Sequence, residues 1–230
     1  MVALNKGIQS LSRAQMIEVD RRMIGEFGIS LPQMMENAGR NLAEATNAML
    51  GGSLKGKRIA VMCGGGSNGG GGMAAARHLA NRGADVQIAL VSPQDKLKEM
   101  PDSQLRILRA MELHTGNEYP EGHFDLLIDA LIGYGLRGAP RGKVAEWIER
   151  MNESGTPVLS LDIPTGLDAD TGRALGACIR AHATLTLAVL KTGMLAEHAR
   201  PLIGSLYLAD ISVPPALLAH FGINMDAFFF

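Results

Sequence analysis

Apolar residues recur at helical spacing in the first fifty residues and predict a pair of helices. Ser12 precedes the first apolar stripe and suits a helix N-cap, and Gly28 ends that stripe. A second stripe runs from about Leu31 to Met49. We interpret its methionines as core residues, because a stripe at helical spacing is typical of a buried helix face.

Beyond residue 57, short continuous apolar runs alternate with helical stripes. The predicted strands are 59–63, 86–91, 124–128, 157–161, 183–190 and 205–208, and the predicted helices are 73–82, 103–111 and 143–153. Repeated β–α–β units predict a three-layer, doubly wound, mostly parallel Rossmann-like sheet with helices on both faces. We expect one domain over residues 1–230, with the helical pair in 1–50 packed on an α/β core spanning 57–215.

Seven of the nine residues from Gly64 to Gly72 are glycines, where the first strand of the core meets its first helix. A turn of this kind exposes backbone N–H groups before a helix dipole and is suited to bind an anion, most often phosphate. No Gly-Lys-Ser/Thr closes the turn, which disfavours a P-loop. The spacing also fits a dinucleotide fold, but Asp85 stands at the wrong end of the next strand to bind the ribose.

Charged residues follow four of the predicted strands: Asp129, Asp162, Lys191 and Asp210. Ligands of open α/β sheets bind beyond the carboxyl ends of the strands, so we expect the first three to converge on a cleft facing Gly66–Gly71. Any one of them alone fits a helix cap or a solvated loop equally well. We expect Asp210 to be held away from the cleft by an edge strand.

The loops after two of these strands add chemistry. Pro164 and Gly166 fix the backbone after Asp162, so this carboxylate and the Thr165 hydroxyl are held in place. A carboxylate positioned beside a dry pocket suits general acid–base work. The second glycine-rich loop, 133–138, carries Arg137, which can donate to a second phosphate.

Asn68, Asp129 and Thr165 together offer only hard oxygen ligands. Such a set favours an alkali or alkaline-earth cation over zinc. Because only one of the three is a carboxylate, we expect a monovalent ion. The six histidines are scattered without the spacing of metal ligands.

Composition narrows the functional class. A 47% apolar content and a net charge of −1 disfavour disorder and nucleic-acid binding. Cys63 and Cys178 form no paired motif and are expected to be buried thiols in a reducing compartment. No apolar run reaches the roughly 18 residues of a membrane span and no secretory signal is visible, so we expect a cytoplasmic protein.

Taken together, the motifs resemble the YjeF N-terminal domain family, the NAD(P)H-hydrate epimerases. The resemblance rests on 28–40, the glycine turn with 75–79, 129–136, 162–168 and Lys191. It implies a three-layer α/β fold, usually a homodimer, that acts on damaged nicotinamide cofactors. The family interconverts the R and S epimers of hydrated NADH and NADPH (NADHX and NADPHX), so that a separate dehydratase repairs the S form.

The resemblance also implies roles for individual residues. It assigns catalysis to Asp162, which also contacts substrate, and one K⁺ per subunit to Asn68, Asp129 and Thr165. The remaining substrate-binding residues implied by the family form two loops: Ser67, Asn68, Gly69, Gly70 and Gly71 in the first, and Gly133, Tyr134, Gly135, Leu136, Arg137, Gly138 and Ala139 in the second.

The chain departs from the family pattern at three of these positions. Ser67 replaces an asparagine, Gly71 replaces an aspartate, and Thr165 replaces a serine while keeping the hydroxyl. The carboxylate missing at Gly71 favours a degenerate module that binds a nucleotide or a protein without turnover. The retained Asn68 and Asp162 favour an active epimerase. A third reading, an ordinary NAD-dependent oxidoreductase, lacks its ribose carboxylate.

Overall fold

The computed structural model describes residues 9–224. Its helices are α1 (Arg13–Gly25), α2 (Leu31–Met49), α3 (Ser67–Asn81), α4 (Glu99–Ala110), α5 (Lys143–Glu153), α6 (Arg200–Ile203) and α7 (Pro215–His220). Its strands are β1 (Ser10–Leu11), β2 (Arg58–Cys63), β3 (Asp85–Leu90), β4 (His114–Gly116), β5 (Leu126–Ala130), β6 (Val158–Leu161), β7 (Ala183–Leu187), β8 (Leu190–Lys191) and β9 (Ser205–Ala209). No helix in this range combines the length and hydrophobicity of a membrane span.

Seven strands form one sheet in the order β4-β3-β2-β5-β6-β7-β9, and every neighbouring pair is parallel. The chain builds outward from β2 to β4, returns to the middle, and builds outward again from β5 to β9. The strand order therefore reverses between β2 and β5, which pair with Val61 opposite Ile128. This confirms the predicted doubly wound α/β sheet and puts its switch point directly before the glycine turn.

Helices cover both faces of the sheet because the buried strands alternate their side chains. Ile59 and Val61 pack in the same cluster as residues of α3 and α4, whereas Ala60 and Met62 pack with Trp147 of α5. All of these side chains are fully or almost fully buried. The strands are thus apolar on both faces, as expected for a parallel sheet between helical layers.

The N-terminal helices begin as the sequence predicts. Ser12 caps α1 by accepting from the Gln15 backbone N–H at 3.2 Å, and the Gln15 side chain accepts from the Ser12 N–H in return. Helix α2 packs on α3 at close range, since a Cβ on Gly39 would lie 2.6 Å from the Ala74 Cβ. Glu36 of α2 also forms an ion pair with Arg77 and a hydrogen bond with His78 Nε2 of α3.

The glycine-rich segment is largely helical, which corrects the prediction that the turn extends to Gly72. Helix α3 begins at Ser67, so only Gly64–Gly66 remain as a turn. The reason is tertiary packing: a Cβ on Gly72 would lie 2.4 Å from the Ala130 Cβ. The helical glycines therefore let α3 lie close against β5, at the expense of the low helix propensity of glycine.

Several strand bounds differ from prediction, and two of these differences bear on the charged residues. The predicted strand 183–190 breaks after Leu187, because Ala188 has a φ of +64° and redirects the chain. Leu190 and Lys191 then form β8, which pairs with β1 instead of joining the large sheet. Asp129 lies inside β5 rather than after it, as the strand ends at Ala130.

Both cysteines are free and buried, in agreement with the sequence. Burial raises the pKa of the Cys63 thiol, and it raises the pKa of Cys178 to about 12. Thiols in such surroundings are poor nucleophiles. Their role in the structure is packing in the core.

Candidate functional site

A cavity of about 700 Å³ lies where the strand order reverses. Its wall contains residues that follow three central strands: the glycine turn after β2, Leu131 after β5 and Asp162 after β6. Helices α1 and α2 complete the wall with apolar side chains such as Met16 and Met34. A largely apolar cavity with a few converging polar groups is typical of a small-molecule site.

One part of the wall is suited to an anion. The backbone approaches closely there, because a Cβ on Gly64 would lie 1.9 Å from the Leu131 carbonyl oxygen. The first N–H groups of α3, starting at Ser67, have no carbonyl partner within the helix. Lys98 and Arg137 also line the cavity and add positive charge.

Asp162 occupies an unusual backbone conformation at the end of β6. Its φ is +71°, in the left-handed region that non-glycine residues rarely adopt. Its N–H donates to the Leu185 carbonyl at 2.8 Å, and its Oδ2 accepts from the Tyr134 N–H at 2.8 Å. Strained residues held by their surroundings cluster at functional sites. The carboxylate is therefore fixed in direction on the cavity wall.

Lys191 is the counter-ion of Asp162. Its Nζ forms an ion pair with Asp162 Oδ1 and donates to Thr186 Oγ1 at 3.0 Å and to the Leu187 carbonyl at 2.9 Å. Three acceptors thus surround an ammonium group that is fully buried. The expected convergence of Asp162 and Lys191 occurs, although Lys191 reaches the site from β8 rather than from the end of β7.

Asp129 is fully buried and satisfied by its neighbours. Its carboxylate accepts from the Thr165 hydroxyl at 2.6 Å, the Thr165 N–H at 2.9 Å and the Ser160 hydroxyl at 2.8 Å. Burial raises the pKa of Asp129, and the hydrogen bonds from Thr165 and Ser160 oppose that rise. Neither Asp129 nor Thr165 lines the cavity, so of the three charges expected to converge on the cleft only Asp162 and Lys191 reach its wall. Asp129 contacts the wall residue Leu131, whose N–H donates to its Oδ1 at 3.2 Å.

Asn68 does line the cavity, and its Nδ2 is buried with no partner among the described residues. Asn68 and Asp162 flank Gly133: a Cβ on that glycine would lie 3.1 Å from Asn68 Oδ1 and 2.6 Å from Asp162 Oδ2. Only glycine fits at this point. Residues 9–224 hold no group of three or more His, Cys, Asp or Glu side chains placed to bind a metal ion.

Tyr134 connects Asp162 to a residue that sequence reasoning missed. Its hydroxyl donates to Asp20 Oδ2 of α1, across 114 positions of sequence. Burial raises the pKa of both groups, and the Asp20 charge raises that of Tyr134 further. Nothing in the local sequence distinguishes Asp20 from a solvated helix residue, and Lys98 was missed for the same reason.

The structure brings together part of the expected substrate set. Eight of its residues line the cavity: Ser67, Asn68, Gly71, Gly133, Tyr134, Gly135, Arg137 and Asp162. Five do not: Gly69, Gly70, Leu136, Gly138 and Ala139. Gly69 and Gly70 face Gly64 and Met35 inside the fold. Gly138 and Ala139 lie exposed on their loop. Asp210 is exposed after the edge strand β9, as expected.

Comparison with known proteins agrees with this arrangement. The family model described as "YjeF-related protein N-terminus" matches residues 31–193. An NAD(P)H-hydrate epimerase of Dehalogenimonas lykanthroporepellens is 45% identical over 96% of this chain and 89% of its own length. A bifunctional NAD(P)H-hydrate repair enzyme Nnr of Moorella thermoacetica is 35% identical over 91% of the chain, which spans 41% of that protein.

A solved structure supports the fold independently. The crystal structure of the yeast protein YNL200c superimposes with a TM-score of 0.83 at 24% sequence identity, covering 94% of this chain and 95% of the yeast chain. At that identity the likeness concerns the fold alone. The extent of the family match and the 45% identical relative carry the assignment. The chain belongs to the family of YjeF-related N-terminal domains.

Proposed function

We propose that this protein is an NAD(P)H-hydrate epimerase, an isomerase that interconverts the R and S forms of NADHX and NADPHX. The observation that carries the proposal is the buried carboxylate of Asp162, fixed by the Tyr134 N–H in the cavity that also holds the N-terminus of α3. A nucleotide needs both parts: donors for its phosphates and a proton-transferring group at its ring. The names of the relatives that cover most of this chain support the same reaction.

Asp162 is the proposed general acid and base. If water leaves the hydrated carbon, its hydroxyl gains one proton as the C–O bond breaks, and the water that adds to the other face gives one back. If the ring opens instead, the hydroxyl loses a proton, the C–N bond breaks and the ring nitrogen gains one; closure reverses this. In either route, Asp162 exchanges the proton and the buried Lys191 ammonium balances its charge.

The phosphates are assigned to the wall rich in backbone donors. We propose that Ser67–Gly71 bind one phosphate and that the loop Gly133–Ala139 covers the other, with Arg137 as a charged donor. Five of these residues do not line the cavity, so their contribution is to shape the two segments. Lys98 is added to the set because it lines the same cavity.

We propose one K⁺ per subunit, held by Asn68, Asp129 and Thr165. The residues present fit such an ion: all three offer hard oxygens, and Asp129 is a buried carboxylate. K⁺ would supply positive charge that orders the phosphate-binding segments. Asp162 lies outside this set and carries out the proton transfer.

The proposed setting follows from the family resemblance. We propose a homodimer in the cytoplasm, acting in nicotinamide nucleotide repair beside an NAD(P)HX dehydratase on a separate chain. Relatives named bifunctional NAD(P)H-hydrate repair enzyme support a second repair activity that works beside this one. We also propose that residues 1–230 act as one domain, which the packing of α2 on α3 supports.

The test supplies mixed R and S NADPHX to a dehydratase that consumes only the S form, in K⁺ buffer, and follows loss of the R form. We expect the protein to accelerate this loss well above the spontaneous rate. Binding of NADP⁺ without acceleration would instead identify a non-catalytic nucleotide-binding module, the reading that Gly71 favours.

A further inference from the structure

Asp20 enters the site from outside the segment that defines the family. It lies on α1, whereas the family model matches residues 31–193. Asp20 is one of the residues that line the cavity, and its carboxylate accepts from the hydroxyl of Tyr134. Asp20 takes no part in the proton transfer proposed for Asp162. Burying a carboxylate costs free energy unless it is hydrogen-bonded, so the partly buried Asp20 needs a contact of this kind.

The contact fixes the direction of the Tyr134 hydroxyl proton. A phenol has one proton to donate and lone pairs that accept. Because the proton is directed at Asp20 Oδ2, the phenol oxygen is left as an acceptor. The raised pKa of Tyr134, which follows from burial and the Asp20 charge, keeps the phenol protonated. Tyr134 therefore presents an acceptor, and no donor, to a molecule in the cavity.

The same tyrosine is held beside the chemistry. Its backbone N–H donates to Asp162 Oδ2, and its ring centroid lies 6.0 Å from Lys191 Nζ. The charged groups around the phenol are Asp20, Asp162 and Lys191, with Arg13 also on the cavity wall. The Lys191 charge is already paired with Asp162. A second anion placed against the phenol oxygen meets two carboxylates and an acceptor oxygen, and Arg13 is the positive charge that opposes this repulsion.

We propose that Asp20 is a positioning residue that acts through Tyr134 to select nicotinamide nucleotides over nicotinic acid nucleotides. A carboxamide offers N–H groups to the Tyr134 oxygen, whereas a carboxylate at the same place offers only acceptors. Leaving a polar group of the site unpaired is a strong means of rejecting an analogue. The proposal rests on the proposed function, because it places the nicotinamide ring beside Asp162.

The experiment measures binding rather than turnover. Calorimetry compares NAD⁺ with nicotinic acid adenine dinucleotide on the wild-type protein, on Tyr134→Phe, on Asp20→Leu and on the double variant; leucine has no acceptor for the phenol proton. We expect the wild type to prefer NAD⁺ by about tenfold, the size of one good hydrogen bond. Tyr134→Phe and Asp20→Leu should each reduce the preference to about threefold or less, and the double variant should match Tyr134→Phe.

The controls keep the two proposals separate. Tyr119→Phe removes a hydroxyl from a tyrosine that packs on Trp147 outside the cavity and should keep the tenfold preference. Tyr134→Phe retains the backbone N–H to Asp162, so it remains informative if Asp20→Leu fails to fold. Equal wild-type affinities, including binding of neither nucleotide, or additive effects of the two substitutions would overturn the inference. Selectivity without epimerase turnover would overturn only the proposed function.

Discussion

The ammonium group of Lys191 is paired with the carboxylate of Asp162, and their side chains are 0% and 5% exposed. Two charges removed from water in this way depend on each other, because either one left alone is an uncompensated buried charge. The pair therefore links the stability of the fold to the group proposed to exchange protons.

Replacing Lys191 by methionine tests that link. We expect Lys191→Met to lower the free energy of unfolding by about 3–5 kcal/mol, as loss of one partner from a buried ion pair does. Urea unfolding measures the change. Lys96→Met, at an exposed position, should stay within about 0.5 kcal/mol of wild type. A Lys191→Met protein as stable as the control would show that the ion pair is not formed.

The glycines of α3 make a second prediction about stability. Gly72→Ala should destabilise the protein by about 1–3 kcal/mol, since the added methyl group would lie 2.4 Å from the Ala130 Cβ. Gly25→Ala is the matched control: it is the last residue of α1, with no atom within 4 Å of the added Cβ. There we expect a gain of about 0.5–1 kcal/mol. Thermal unfolding measures both changes in stability: the midpoint temperature should fall for Gly72→Ala and rise for Gly25→Ala.

Local pattern was sufficient for much of the fold. The apolar stripes predicted α2 and α5 with the bounds observed, and Ser12 was recognised as the cap of α1. The same patterns do not predict the local conformation where contacts with residues distant in sequence determine it. Glycine is a poor helix former, so the sequence predicts a turn before Met73, whereas close packing on Ala130 makes this segment helical.

The site residues also fall into those that local sequence predicts and those that depend on distant contacts. Asp162 could be found because it follows a buried strand and precedes a proline-fixed turn, and the carboxyl ends of parallel strands meet at one edge. Asp20 could not be found from the sequence, because its partner Tyr134 is 114 positions away and the helical periodicity around Asp20 gives no sign of that contact. The break at Ala188 was also invisible, since alanine carries no signal for a positive φ.

The proposed K⁺ site predicts a stability that depends on the cation. An ion that binds only the native state at a hundredfold excess over its Kd adds about 2.7 kcal/mol to the free energy of unfolding. We expect the urea midpoint to be higher in KCl than in choline chloride of equal ionic strength, and Asn68→Ala to remove most of the difference. Ser67→Ala, at the exposed neighbouring residue, should retain it. Identical wild-type midpoints in the two salts would contradict the site.

Asp20 predicts a dependence of stability on pH. Burial raises its pKa above the ordinary value of 3.8, so between 3.8 and the raised value the native state binds more protons than the unfolded state. The contribution of Asp20 to the free energy of unfolding is full below pH 3.8 and is lost as pH rises through the raised pKa. Asp20→Asn should flatten this slope in urea titrations at successive pH values. A slope equal to that of the wild type would contradict the assignment.

The central claim concerns Asp162, and the rate of R-NADPHX consumption in the coupled dehydratase assay tests it most directly. We expect Asp162→Asn to reduce that rate by about 10²–10⁴-fold, the usual contribution of a general acid–base group, while NADP⁺ still binds. A variant that binds NADP⁺ and keeps a rate near that of the wild type would show that Asp162 does not transfer the proton.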